Sequence, residues 1–211
     1  SDNQPKKTVV YQVFTRLFGN QNTTNKPWGT IEENGVGKFN DFTDKALSEI
    51  KDLGVTHIWY TGVPHHAVIN DYTKYGISND DPDVVKGRAG SPYAVKDYYN
   101  VNPDLAVDPA KRLQEFDSLI KRTHKNGLKL IIDIVPNHIA RNYKGLSNPK
   151  GVKDFGADDN YISTNLADAN LIDATPLTEV TTTFRDLGIA PALANALNAQ
   201  GITHPFPIQI A

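Results

Sequence analysis

Residues 128–135 read Leu-Lys-Leu-Ile-Ile-Asp-Ile-Val, an apolar run that predicts a strand covered on both faces. A strand of that kind belongs to a parallel sheet flanked by helices, and the chain upstream supplies both partners. Residues 8–14 are β-branched and aromatic, and residues 55–60 form a second strand. Between them, residues 40–53 have helical spacing, with Phe42, Ala46, Ile50 and Leu53 on one face and Gly54 as the stop. Asp108 and Pro109 open a second helix that runs through Leu113, Phe116 and Ile120 to Asn126, and Gly127 ends it. Strand, helix, strand, helix, strand implies parallel strands joined by right-handed crossovers. That order opens an α/β barrel or a doubly wound sheet. No Gly-rich dinucleotide fingerprint follows the first strand, which disfavours the second.

The remaining stretches are irregular. Residues 1–7 are polar and read as a linker, and residues 19–37 as a Gly/Asn-rich loop. Residues 61–102 are rich in Gly, Pro, Asp and Tyr and far longer than an ordinary connection, a length that usually carries function. Within them, His65 and His66 read as exposed loop histidines rather than metal ligands. Residues 140–170 are polar and without period; residues 186–211 regain order, with a short helix after Pro191.

Composition narrows the partners. With 22 Lys and Arg against 24 Asp and Glu, the net charge of −2 argues against a surface built for nucleic acid phosphates. No run of about 18 apolar residues is present to span a membrane. The chain has no cysteine, hence no thiolate metal site and no disulfide framework. It also has no methionine, even at its start, so the expectation is a trimmed product that has lost any leader. An extracytoplasmic place (secreted, periplasmic or surface-anchored) fits that opening; its rival is a chain simply cut there.

In α/β barrels the residues that do chemistry follow the C-terminal ends of the strands. Asp133, Asn137 and His138 stand at that place after the third strand. A carboxylate accepts and an imidazole donates, which suits sugar hydroxyls, and Asn137 offers the hard oxygen that calcium takes. Asp133 and His138 suit structural caps at a strand end equally well.

The pattern Asp-x-x-x-Asn-His after a buried strand resembles the first conserved region of the α-amylase family. Upstream, Tyr93-Ala-Val-Lys-Asp97-Tyr98 resembles that family's Gly-Tyr-x-x-x-Asp-Tyr segment, with Pro92 where glycine is usual. Residues 10–18 look like its first strand and residues 57–63 like its second. The resemblance runs from about Thr8 to Tyr143. It implies a partial (β/α)8 TIM barrel, an α/β fold represented by its first three strands and two helices. It also implies that His138 hydrogen-bonds the sugar, that Tyr93 stacks on the same ring, and that Asp97 supports the site. Asn137 is the implied calcium ligand, although subfamilies differ in holding that ion. The substrate implied is an α-glucan, an oligosaccharide or a starch-like polysaccharide, cleaved with retention.

Retention needs two carboxyl groups about 5 Å apart. In the family these come after the fourth and fifth strands, and no segment of this chain matches them; Phe184-Arg185-Asp186 lacks the spacer. The expectation is a chain that carries part of a sugar site and does not itself hydrolyse.

A second resemblance covers about the last thirty residues. Phe184, followed by Gly201-Ile-Thr-His-Pro205-Phe-Pro207-Ile208-Gln209, resembles the Q motif that opens DEAD-box RNA helicases. It implies that Gln209 reads an adenine edge and Phe184 stacks on the base, but the phosphate-binding loop that should follow is absent. The expected organisation is thus a linker (1–7), the N-terminal part of a barrel (8–139), an irregular junction (140–183) and a short helical segment (184–211). Two incomplete families in one chain suggest a chimera. The alternatives are an ATP-binding helicase fragment and a non-catalytic sugar-binding module.

Overall fold

The computed structural model describes residues 7–154 and the single position 195. The chain divides into two units, Ser1–Phe155 and Gly156–Ala211. In the first, the elements are β1 (Val10–Phe14), α1 (Ile31–Asn34), α2 (Asp44–Asp52), β2 (His57–Thr61), β3 (Pro64–His66), β4 (Val95–Val101), α3 (Arg112–Lys125) and β5 (Lys129–Ile132). β1, β2 and β5 form a parallel sheet in that order, and β3 pairs antiparallel with β4. The α/β order read from the sequence is present: among the described residues, three parallel strands are joined by two crossover helices.

One face of the sheet makes the core. Val13, Ile58, Tyr60, Leu130 and Ile132 pack with Leu47 and Ile50 of α2 and Phe116 and Leu119 of α3. Burying each such side chain contributes about 1.5–3 kcal/mol. Phe42 anchors the centre, stacked on Phe18 at 4.1 Å and edge-on to Tyr60 at 5.0 Å. Thr123 donates its hydroxyl to Leu119 O, so the Tyr60 hydroxyl, 2.8 Å away, donates to Thr123 Oγ1. Burial pushes the Tyr60 phenol up to about 12.

Several expectations need correction. α2 starts after Thr43, whose hydroxyl caps Ala46 N at 3.2 Å, so its buried residues are Leu47 and Ile50, and Leu53 is 72% exposed. In α3 the buried residues are Leu119 and Thr123, and Leu113 stays exposed. Residues 61–102 contain the β3–β4 hairpin, and His65 and His66 lie buried in it rather than exposed. β5 is half-buried, not covered on both faces. Its ladder to β2 ends at Tyr60 opposite Ile132, and on the sheet's second face Gln12, Trp59 and Ile131, aligned across the strands, lie outside the core.

The connections at the strands' C-terminal ends are gathered by one carboxylate. Asp104 is fully buried; its Oδ1 accepts from Tyr72 at 2.6 Å and Asn70 at 2.9 Å, and its Oδ2 pairs with Arg16 at 3.4 Å. Lys38 donates to the Asp104 carbonyl at 2.6 Å. Removing one partner of a buried pair strands the other, at about 3–5 kcal/mol. Asp104→Ala is therefore expected to lower unfolding stability by about 3 kcal/mol or more, read as a lower urea midpoint; a midpoint unchanged from the parent would show that the cluster is not structural.

Candidate functional site

Because the sheet is parallel, β1, β2 and β5 finish at one end, and residues 133–138 leave from there. Past Ile132 the ladder stops, and Pro136, which has no N–H, cannot extend it. The segment is held instead by the hairpin. The Tyr98 hydroxyl donates to Val135 O, Ala140 N donates to Val95 O at 2.8 Å, and Lys144 N to Lys96 O at 2.9 Å. Leu146 N donates to Asp97 Oδ2 at 3.0 Å. β4 thus forms the backing of the wall that carries Asn137 and His138. β4 is itself tied to the loop that joins it to β3 by Lys96, buried and 2.9 Å from Asp80 Oδ1.

His138 is exposed, with Nδ1 2.9 Å from Asn137 Oδ1. With that oxygen as acceptor, Nδ1 carries the proton and Nε2 is left to accept. Asp133 is half-buried, and its Oδ2 has no hydrogen-bond partner among the described residues. Tyr93 stands just ahead of β4 with 45% of its surface exposed. The bond between Ala140 and Val95 joins the two segments two residues past His138 and two past Tyr93. Asp97, by contrast, is fully buried and turned onto main chain: Oδ1 accepts from Tyr99 N at 2.9 Å and Oδ2 from Leu146 N. Its carboxylate holds the wall in place and does not reach solvent.

The donor set for calcium is thin. A calcium shell takes about six to eight oxygens; Asn137 brings one, already engaged by His138. Among the described residues no group of three or more His, Cys, Asp or Glu side chains is arranged to hold a metal ion. The described residues therefore do not by themselves fit calcium. Phe184 and Gln209 lie outside the described residues.

Behind the wall, Arg112 Nε donates to Asn100 Oδ1 at 2.7 Å, and Asn100 Nδ2 lies 3.0 Å from His65 Nδ1. As an amide nitrogen donates, His65 Nδ1 accepts and the ring is neutral. Burial lowers the His65 imidazole to about 3, with Lys96, His66 and Arg112 adding repulsion. His66, flanked by Pro64 O and Ala89 O, is lowered as well, mainly by burial. Sequence reasoning missed this hairpin; residues 95–101, Val-Lys-Asp-Tyr-Tyr-Asn-Val, show no apolar and polar alternation to announce it.

The α-amylase catalytic-domain model matches residues 12–186. The chain belongs to the α-amylase catalytic-domain family. Among curated relatives, trehalose-6-phosphate hydrolase of Bacillus subtilis is 29% identical over 139 residues, 66% of this chain and 18% of that one. Cyclomaltodextrin glucanotransferase of Bacillus sp. (strain 1-1) is 29% identical over 163 residues, 73% of this chain and 20% of its own. Among solved structures, the trehalose-6-phosphate hydrolase of Bacillus licheniformis is 26% identical with a TM-score of 0.42, covering 66% of this chain and 19% of that one. The chain spans a fifth or less of the length of these relatives. The family match takes in the end of β1, all of β2 and β5, the hairpin and the Asp133 to His138 wall.

The buried histidines give a pH test. Unfolded, His65 titrates near its ordinary value of 6.5; folded, at about 3. Between those values the unfolded chain binds the extra proton, so stability falls as pH drops from 6.5 toward 3, by at most about 1.4 kcal/mol per pH unit for this residue. His65→Gln, which keeps an acceptor for Asn100, is expected to flatten the urea midpoint between pH 6.5 and 4; an undiminished slope would remove His65 as its source.

Proposed function

We propose that this chain is the N-terminal part of a (β/α)8 glycoside hydrolase barrel whose complete form cleaves α-glucans with retention, through a covalent glycosyl intermediate. The observation that supports this most is the wall at the end of β5: exposed His138, and an Asp133 oxygen that no described residue satisfies. Both stand where a barrel places its chemistry. In this reading His138 Nε2 accepts from a sugar hydroxyl, Asp133 accepts from another, and Tyr93 stacks on an apolar face of the same ring. Asp97 acts through the main chain it holds. Calcium, if the complete protein holds it, takes Asn137 as one ligand and needs further oxygens from outside the described residues. An extracytoplasmic place, where polymeric glucans are met, goes with this substrate.

Hydrolysis with retention requires a nucleophile and an acid, which the family carries after its fourth and fifth strands. Among the described residues no strand follows β5. The 211-residue chain is accordingly expected to bind the sugar without cleaving it; sustained reducing-sugar release from starch by the purified chain would refute that.

Calorimetric titration tests the binding itself. Maltoheptaose is expected to release heat, and His138→Ala or Tyr93→Ala to weaken binding about tenfold each, the equivalent of about 1.4 kcal/mol. Heat with ATP and none with maltoheptaose would overturn the reading.

A further inference from the structure

The β3–β4 hairpin buries five polar side chains: His65, His66, Lys96, Asp97 and Asn100. Buried polar groups need partners, so each can be followed to what satisfies it. Asp97 is taken up by main chain, Lys96 by Asp80, and His66 by the carbonyls of Pro64 and Ala89. Asn100 differs from these, because it leads into α3, the helix that precedes β5.

Arg112 begins that helix. Its Nε donates to Asn100 Oδ1 at 2.7 Å and its Nη1 to Pro109 O at 2.9 Å. Burial lowers the half-buried guanidinium, and the charge of Asp97 offsets part of that effect. A guanidinium donates and cannot accept, so it fixes which way the Asn100 amide faces. The amide oxygen turns to Arg112 and the nitrogen to His65 Nδ1, 3.0 Å away. His65 then carries its proton on Nε2, where it finds no acceptor among the described residues. The opposite tautomer would set two donors, Arg112 Nε and Asn100 Nδ2, against each other. Arg112 thus sets the tautomer of a ring that it touches through an amide.

The same contacts close a triangle. Tyr98 ties β4 to Val135 O in the wall. Asn100 and Arg112 tie β4 to α3. From α3 the chain runs on into β5 and so into the wall itself. The hairpin shares no ladder with the parallel sheet, so packing and side-chain hydrogen bonds of this kind must orient it.

We propose that Arg112 is a positioning residue for the β5 wall: through Asn100 and His65 it locks β4 against α3, and with β4 the segment that carries Asn137 and His138. The proposal rests on the reading of that wall as a sugar site, and its test separates the two.

Nuclear magnetic resonance of the 211-residue chain examines the brace without sugar. The His65 ring nitrogens are expected to show one neutral tautomer, protonated at Nε2. Arg112→Met keeps the length of the side chain and loses its donors, so the Asn100 amide can turn over and both tautomers are expected. Amide exchange at Ala140 and Lys144 is expected to quicken about tenfold. Exchange at Thr15, bonded to Thr61 O at 3.1 Å, is expected to stay as in the parent. Asn100→Asp keeps an acceptor for Arg112 and gives His65 one too, so the ring proton is expected on Nδ1; this variant decides if Arg112→Met does not fold. A parent ring protonated at Nδ1, or an Asn100→Asp ring without a proton there, would overturn the proposal. So would wall amides that ignore Arg112→Met, or a Thr15 amide that quickens equally, the mark of a general loss of stability. Maltoheptaose is expected to bind Arg112→Met more weakly than the parent. If neither releases heat while the exchange difference holds, the sugar reading falls and the bracing of the wall stands.

Discussion

The Asp104 carboxylate is the point on which the end of the sheet depends. It has no exposure, and the groups that neutralise it come from far apart in sequence: Arg16 after β1, and Asn70 and Tyr72 after β3. Lys38, ahead of α2, reaches the same residue's carbonyl. A lone buried carboxylate would be costly; with these donors it becomes a clamp on the loops beside the small apolar cluster of Val68, Tyr72 and Ile77. Burial and the Asp104 charge together raise the Tyr72 phenol far above its ordinary value, so that hydroxyl stays a donor throughout the working range. The β5 wall stands at the strand ends whose connections this clamp gathers.

How much of this was legible in the sequence depends on the range of the interaction. β1, β2, β5 and the two long helices follow from local periodicity, and the Asp108 cap from a single residue beside it, whereas the Thr43 cap falls inside the stretch 40–53 that reads as helix. The phase of the buried stripe was misread where a helix begins off the period of what precedes it: Phe42 lies before the cap, so Leu47 and not Leu53 continues its face. The β3–β4 hairpin was not legible. β3 is three residues long with two histidines, and its partner lies beyond a long loop, so no local signal announces the pairing that buries His65 and His66.

At the site, the motif Asp133 to His138 could be read because it combines a strand end with polar side chains, and the family match agrees. Asp97 shows the limit of such reading. A motif says that a carboxylate belongs at a position; only the fold shows both its oxygens spent on the main chain of Tyr99 and Leu146.

The wall's attachment to β4 has a consequence for drift. Ala140 and Lys144 are fastened through their amide nitrogens to the carbonyls of Val95 and Lys96, bonds that every residue except proline can make. The exposed side chain at 144 is thus free to vary, whereas Ala140 is constrained by burial and Asp97 by the use of its side chain. Substitution can accumulate at the exposed positions of this strip while the backbone beside His138 keeps its path. A lineage could then alter the outer surface of the wall without rebuilding what holds it.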